Sequence, residues 1–375
     1  MEFSPSETRN VDSLPTPSLV IDSQILRRNI VRMAEYARAH KLALRPHTKT
    51  HKSLQLARMQ ISHGASGLTV AKAGEAEIMA QTGADILLAY PTVDRARSET
   101  VARLARSHSI RVALDSVLAA RSLSEASSAA SAVTGVLIDI DVGLHRTGVQ
   151  SPAAALALAQ EVQRLRGIRL DGLFFYPGHI GSTGHARIEA LAAVDSILEE
   201  TLDLWRRSGL EAKIVSGGST PTALESHRVT RATEIRPGTY VFNDMNCVSA
   251  GCATLDDCAA RIICTVVSDA VPGQIVVDAG TKTLTSDRCG PSPDSGHGLI
   301  VEYPKAKIAK LTEEHGQVDI TQCERAPRLG ERVSIIPNHI CPCVNLQDKV
   351  WINNVNAMKE SQLEAMQIDT RGKVQ

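Results

Sequence analysis

The chain is predicted to be an α/β protein, a (β/α)8 TIM barrel followed by an antiparallel β domain. Two observations carry that expectation. Short β-rich runs at about 42–48, 67–71, 85–90, 111–115, 136–142, 170–176, 212–216 and 234–242 alternate with longer stretches of helical spacing. After about residue 255 the alternation stops, and short β runs follow one another between Pro, Gly and Asp turns.

In order along the chain, Pro15-Thr16-Pro17-Ser18-Leu19-Val20-Ile21-Asp22 precedes the first helix and is a strand that can pair with the second domain. The helical stretches 52–63, 73–83, 117–131, 152–166 and 185–208 are dominated by Ala, Leu, Glu and Arg. The Ala/Ser-rich segment 117–135 has the composition of a linker, but its Leu and Val spacing suits a packed barrel helix. Eight strand–helix units in about 220 residues match a closed barrel better than an open doubly wound sheet, which is the alternative. The barrel is expected over 14–255 and the β domain over 256–375, where Ile262-Ile263-Cys264-Thr265-Val266-Val267, Gln274-Ile275-Val276-Val277-Asp278 and Arg332-Val333-Ser334-Ile335-Ile336 are β runs.

With 375 residues and 43% hydrophobic content the chain can bury a large core, and two domains are the natural division. Lys+Arg and Asp+Glu both total 41, so no excess positive charge draws nucleic acid or an anionic membrane. The start, Met1-Glu2-Phe3-Ser4-Pro5-Ser6, lacks the basic and apolar regions of a signal peptide, and no apolar run approaches the roughly 18 residues that span a bilayer. A cytoplasmic protein is expected. All eight cysteines lie after residue 246, and in a reducing compartment they are core packing, metal ligands or reactive thiols rather than disulfides.

The run Arg45-Pro46-His47-Thr48-Lys49-Thr50-His51-Lys52 sets Lys49 among other basic side chains at the end of an apolar strand. An amine must be neutral to attack a carbonyl, and neighbouring cations and desolvation favour that state, so Lys49 is a candidate Schiff-base lysine. A basic surface loop is the plainer alternative. Chemistry in a barrel collects at the C-terminal strand ends, and phosphate is commonly held by the loops after strands seven and eight. Ser216-Gly217-Gly218-Ser219-Thr220 follows the seventh run and Arg236-Pro237-Gly238-Thr239-Tyr240 falls at the eighth. Glycines let backbone N–H groups approach phosphate oxygens, and Ser219 and Thr220 add hydroxyls. An amine at one strand end and a phosphate cradle across the mouth suit pyridoxal phosphate.

Several motifs in collinear order then resemble a known family: Arg-Pro-His-x-Lys-Thr-His-Lys at 45–52, Asp139-Ile140-Asp141-Val142-Gly143-Leu144-His145-Arg146-Thr147-Gly148, Ser-Gly-Gly-Ser-Thr-Pro-Thr at 216–222, Arg236-Pro237-Gly238-Thr239-Tyr240, Glu314-His315-Gly316 and Pro337-Asn338-His339-Ile340-Cys341-Pro342. Together, over roughly 14–355, they resemble the D-threonine aldolase and D-serine dehydratase group, pyridoxal phosphate enzymes with an alanine racemase type of barrel. The resemblance implies that Lys49 carries the cofactor and moves a proton at the substrate. It implies that Ser219, Thr220, Gly238 and Thr239 hold the phosphate, that Arg146 faces the phenolic oxygen, and that Tyr176 lies near the pyridine ring. For Tyr176 an aromatic of the barrel interior is the alternative.

His179, in Tyr-Pro-Gly-His, is the acid–base candidate, although the family's aldolases place a histidine further along this loop. His339 and Cys341 resemble the family's metal site. Imidazole with thiolate favours zinc, with manganese or magnesium as alternatives, since the familiar aldolases carry aspartate where Cys341 stands. Cys343 is a buried thiol or a third sulfur near the ion.

The implied activity is a lyase for β-hydroxy-D-amino acids, of D-threonine aldolase type yielding glycine and an aldehyde. The alternative is dehydration of D-serine or a related 3-hydroxy acid to a keto acid and ammonia. A racemase needs a second base, and Tyr303, the only tyrosine after residue 255, lacks that context. A non-catalytic pyridoxal phosphate carrier would not need a metal-binding β domain. The expected partners are a small D-amino acid substrate and a second copy of the chain in a homodimer, with no nucleic acid and no membrane.

Overall fold

A computed structural model of the chain describes residues 8–9, 13–181, 183–290, 294–355 and 361–375. The Met1–Ser6 segment lies outside them. No helix among the described residues is long and apolar enough to cross a membrane. The described chain divides into two compact units. One holds Arg32–Lys49, Leu54–Gly238 and Gly372–Gln375; the other holds the described part of Met1–Val31 with Thr50–Ser53 and Thr239–Arg371.

The first unit is built on eight parallel strands: Ala43–Leu44, Leu68–Val70, Ile86–Leu88, Ile110–Leu114, Thr134–Asp139, Ile168–Phe174, Ile214–Gly217 and Glu234–Ile235. From the second to the eighth, each pairs with its sequence neighbour, and the eighth pairs with the first. The first and second strands meet through an irregular stretch, in which Thr69 N–H donates to Pro46 O and Thr48 N–H to Thr69 O, both at 2.8 Å. Parallel neighbours require crossovers, and helices such as Leu54–Ser62, Ala73–Met79, Arg95–Ala105, Val117–Ala129, Pro152–Arg164 and Gly184–Arg207 supply them.

Local chemistry starts three of these helices. Asp94, Ser116 and Ser151 each accept from an N–H of the first turn, satisfying a donor that has no partner within the helix. The last run of the sequence reading is shorter than expected. Only Glu234–Ile235 pairs as strand, because Pro237 has no N–H to donate and the chain turns into a short helix at Thr239–Val241.

Strand residues alternate between two apolar environments. Val70, Leu88, Val112, Val136 and Ile138 pack with Ala76, Ala120, Leu158 and Leu198 of the helices, whereas Leu87, Ala113, Leu137 and Phe174 form a separate cluster that Tyr176 joins. An ion network lies toward the strand starts. Arg45 Nε donates to both oxygens of Glu234 at 2.9 and 3.0 Å, and its Nη1 reaches Asp85 at 2.7 Å. Arg111 bonds Asp85, and its Nε donates to Asp171 at 2.8 Å.

The second unit holds a predominantly antiparallel sheet. Ser18–Asp22 lies between Ala260–Ser268, to which it is antiparallel, and Lys349–Val355, to which it is parallel. Arg332–Ile336 pairs with both Leu299–Ile300 and Ala260–Ser268. That double pairing closes six strands on themselves, with Gln274–Val277, Gly316–Asp319 and Lys307–Leu311 completing the ring. The parallel pairing of Ser18–Asp22 with Lys349–Val355, the single one in this sheet among the described residues, departs from the purely antiparallel expectation.

Candidate cofactor cradle and metal centre

Lys49 follows the first parallel strand and its side chain is exposed, while Arg45, Pro46, His47 and Thr48 before it are buried. The desolvation expected for Lys49 is therefore not provided within the chain. Arg45, one of the cations expected to act on it, is already neutralised by Glu234 and Asp85. What the run supplies is placement. His47 N–H donates to Pro237 O at 3.0 Å, and its Nδ1 accepts from Lys49 N–H at 3.4 Å, which sets the lysine-bearing stretch beside the Pro237-Gly238 turn.

Across that turn lies the Gly/Ser run. Gly218 has φ of +97°, a backbone state that side chains rarely adopt. A Cβ on Gly217 would come within 2.1 Å of the Phe175 ring, so only glycine fits there. Ser219 is the N-cap of the helix Thr220–Arg228 but makes no cap bond; its hydroxyl instead lies 3.1 Å from that of Thr222. Gly238 N–H donates to Thr220 Oγ1 at 3.3 Å. Ser219, Thr220 and Gly238 thus converge as an uncapped helix start with hydroxyl groups.

Two buried polar atoms beside this run, Ser216 Oγ and Arg236 Nε, have no hydrogen-bond partner. A group rich in acceptors, as a phosphate is, fits such a cradle. Thr239, the next residue, belongs to the other unit, where its hydroxyl lies 3.6 Å from Cys341 Sγ.

Arg146 and Tyr176 are brought together, the guanidinium lying 4.8 Å from the ring centroid. His179 packs against Gly143, where an added Cβ would be 3.0 Å from its Nε2. Asp139 is buried at the end of its strand. Burial pushes its carboxyl up to about 6, against the pull of Thr147, Arg236 and Arg146. Arg236 is buried too, 3.7 Å above the Phe174 ring, with Nη2 donating to Phe175 O at 2.6 Å. Burial brings its pKa down to about 10.

In the second unit, His339 is the N-cap residue of the helix Ile340–Asn345, and Cys341 lies in its first turn. The two side chains hydrogen-bond, and Thr50 Oγ1 lies 3.2 Å from Cys341 Sγ. Burial raises the Cys341 thiol, but the bond and charge of His339 outweigh it and hold the thiol below its usual range. His339 is correspondingly raised to about 9, chiefly by that bond. Its Nδ1–H donates to Asp287 Oδ2 at 2.6 Å. Asp244 steadies the segment, accepting from Ile340 N–H at 3.0 Å and Cys247 N–H at 2.9 Å.

Imidazole and a thiol with lowered pKa fit a divalent ion, and a carboxylate on the far ring nitrogen is the usual support of a ligating histidine. Among the described residues, no group of three or more His, Cys, Asp or Glu converges as a metal cluster. Cys343 points elsewhere, its Sγ donating to Leu284 O and His339 O at 3.4 and 3.2 Å. Tyr303 is tied to Glu331, to which its hydroxyl donates at 2.6 Å.

Sequence reasoning missed Asp139, Arg236, Thr50 and Asp287 as parts of these sites. Asp139 and Arg236 stood within motifs and were legible as charges at strand ends. Asp287 carried no signal, because its contact with His339 joins segments 52 residues apart.

A lysine and a Gly/Ser cradle at the same ends of eight parallel strands, with a β unit bearing a His-x-Cys pair, define an enzyme of the pyridoxal phosphate class. The model for the alanine racemase N-terminal domain matches residues 21–245, and that for a serine dehydratase domain matches 259–353. The chain is 32% identical to a D-threonine aldolase of Arthrobacter sp over 341 residues, 89% of this chain and 87% of that protein. It is also 32% identical to a D-threo-3-hydroxyaspartate dehydratase of Delftia sp. over 352 residues, 88% and 91% of the two. The crystal structure of D-threonine aldolase from Filomicrobium marinum superposes with a TM-score of 0.87 at 31% identity, covering 97% of this chain and 98% of the other. The chain belongs to the alanine racemase N-terminal domain family, in the group that also carries a serine dehydratase domain, and is a pyridoxal phosphate-dependent lyase of aldolase or dehydratase type.

Proposed function

We propose that the chain cleaves β-hydroxy-D-amino acids in the manner of a D-threonine aldolase, releasing glycine and an aldehyde. The observation that carries this is the cradle of Ser219, Thr220 and Gly238 beside the lysine-bearing stretch, at the C-terminal ends of the parallel strands. The edge-to-edge hydrogen bonds between 46–48 and Thr69 support reading the sheet as a closed barrel whose mouth those ends form.

Bound pyridoxal phosphate supplies an electron sink for the substrate's Cα. Lys49 would hold the cofactor through its aldehyde, and its amine is the group that would return a proton at the substrate's Cα. Ser219, Thr220 and Gly238 hold the phosphate by hydroxyl and N–H groups, and Thr239 adds a hydroxyl. Arg146 would bind the cofactor's ring oxygen, and Tyr176, over which its guanidinium lies, would pack on the ring. His179 takes the proton of the β-hydroxyl. His339 and Cys341 hold a divalent ion, zinc before manganese or magnesium, which supplies positive charge at the β-oxygen.

A second reading, elimination of water from a 3-hydroxy-D-amino acid, is favoured by the soft His339 and Cys341 pair and by the equal 32% identity to the Delftia dehydratase. A cytoplasmic setting, in which the cysteines after residue 246 stay reduced, belongs to this reading. A homodimer belongs to the same reading, and sedimentation of the purified chain tests it. The activity is tested by incubating holoenzyme, with zinc or manganese, with D-threonine and D-serine and identifying products by mass spectrometry. Glycine with acetaldehyde supports the aldolase; keto acid with ammonia replaces it by the dehydratase; an L-enantiomer alone rejects both.

A further inference from the structure

Between Asp139 and Val149 the chain makes a loop pinned at both base and crown. At the base, Val149 N–H donates to Asp139 O at 2.9 Å, Asp141 N–H to Val149 O at 3.1 Å, and Gly148 N–H to Asp115 Oδ2 at 3.0 Å. At the crown, Oδ1 of Asp141 accepts from the N–H groups of Gly143, Leu144 and His145, each at 3.0 Å. Its Oδ2 accepts from His145 Nδ1–H at 2.7 Å.

These bonds hold an unfavourable conformation in place. His145 has φ of +55°, in the left-handed region that a side chain enters only when its surroundings over-determine it. Packing does not do so here, since the His145 side chain is 77% exposed whereas that of Asp141 is 4% exposed. The carboxylate is therefore the restraint. Burial would raise it, but the donors around it outweigh burial and hold it below the usual range, so it is charged at neutral pH. Arg146 is the next residue, and the direction in which it leaves His145 brings its guanidinium over Tyr176.

We propose that Asp141 is a positioning residue, which by holding His145 in the left-handed conformation aims Arg146 across Tyr176 and so sets how strongly the chain binds pyridoxal phosphate. The inference rests on the reading of Arg146 as a cofactor contact given above. A simple loop staple, by contrast, would contribute to stability without coupling to Arg146.

The test is a double-mutant cycle on the full chain, read as the dissociation constant of pyridoxal phosphate and the position of its absorbance band. Asp141→Ala is expected to weaken binding about ten-fold. It is also expected to move the band in the same direction as Arg146→Ala, and the double variant is expected to bind no more weakly than Arg146→Ala alone. Asp141→Asn, whose amide oxygen still accepts the N–H groups, is expected to stay within about three-fold of wild type. Additive losses in the double variant, or wild-type binding in Asp141→Ala, overturn the proposal.

Should Asp141→Ala fail to fold, His145→Gly decides. Glycine takes the same φ unaided, so binding within about three-fold of wild type supports a conformational role and a ten-fold loss overturns it. If Arg146→Ala itself binds like wild type, the cofactor contact read for Arg146 falls. The crystal structure of the cofactor-free Asp141→Ala chain then settles the positioning: Arg146 displaced from Tyr176 supports it, and Arg146 in place overturns it.

Discussion

The Nδ1–H of His339 donates to Oδ2 of Asp287 at 2.6 Å, so that Nε2 is the ring nitrogen left to face a metal ion once the ring gives up its second proton. A carboxylate in that position fixes the ring's tautomer and orientation and raises its basicity as a ligand. Asp287→Ala is accordingly expected to lower zinc affinity by about 10–100-fold while the chain folds as before. Competition with a metal-indicator dye measures this. Unchanged affinity would mean that the ion, if bound, is not held through His339.

Lys49 is exposed at the end of its strand and has room to form a covalent bond with a bound aldehyde. Borohydride reduction of holoenzyme is expected to leave the reduced cofactor's mass on the peptide that contains Lys49. The Lys49→Ala chain should carry no such label, and its turnover should fall by about 10²-fold or more. A label on another lysine would move the attachment site elsewhere.

Asp139 yields a pH dependence whose sign follows from its raised value. The folded chain keeps this proton up to about pH 6, whereas an unfolded aspartate has lost it near pH 4. Between those values the folded state binds the extra proton, so this group's contribution to stability declines as pH rises through the window and is least favourable above it. The burial costs at most about 3 kcal/mol at neutral pH. Urea unfolding of cofactor-free wild type and Asp139→Asn at pH 4.5 to 7.5 (about three pH units) checks it. The wild type should lose stability relative to the variant as pH rises, and parallel curves would sink the assignment.

Glu234 and Arg45 form a buried pair with side chains both 5% exposed. Removing one charge strands the other, so Glu234→Gln is expected to destabilise the chain by about 3–5 kcal/mol, less what Asp85 recovers. Chemical denaturation measures the loss. A change below about 1 kcal/mol would show that Asp85 alone satisfies the guanidinium.

The periodicities were enough to place the parallel strands and most of their crossover helices, because burial on two faces forces apolar runs and burial on one forces helical spacing. Motifs located Lys49, the Gly/Ser run and the His339-x-Cys341 pair for the same local reason: each is contiguous, and its residue types are unusual together. That Arg45 is not a free cation beside Lys49 was hidden because a sequence shows which charges are near in chain, whereas the fold commits Arg45 to Glu234, which is 189 residues away.

By itself, then, the sequence determined the repeating strand–helix plan, the change to a β-rich second half and the residues from which cofactor and metal sites can be built. Only the tertiary structure decided that Asp287 supports His339, that Thr50 lies beside Cys341, that Asp139 is buried among arginines, and that Asp141 holds the turn leading to Arg146. Secondary structure follows from interactions a few residues apart, which the order of side chains encodes directly. Electrostatic partnerships depend on distance in space, and that is set only when strands far apart in the chain come into register.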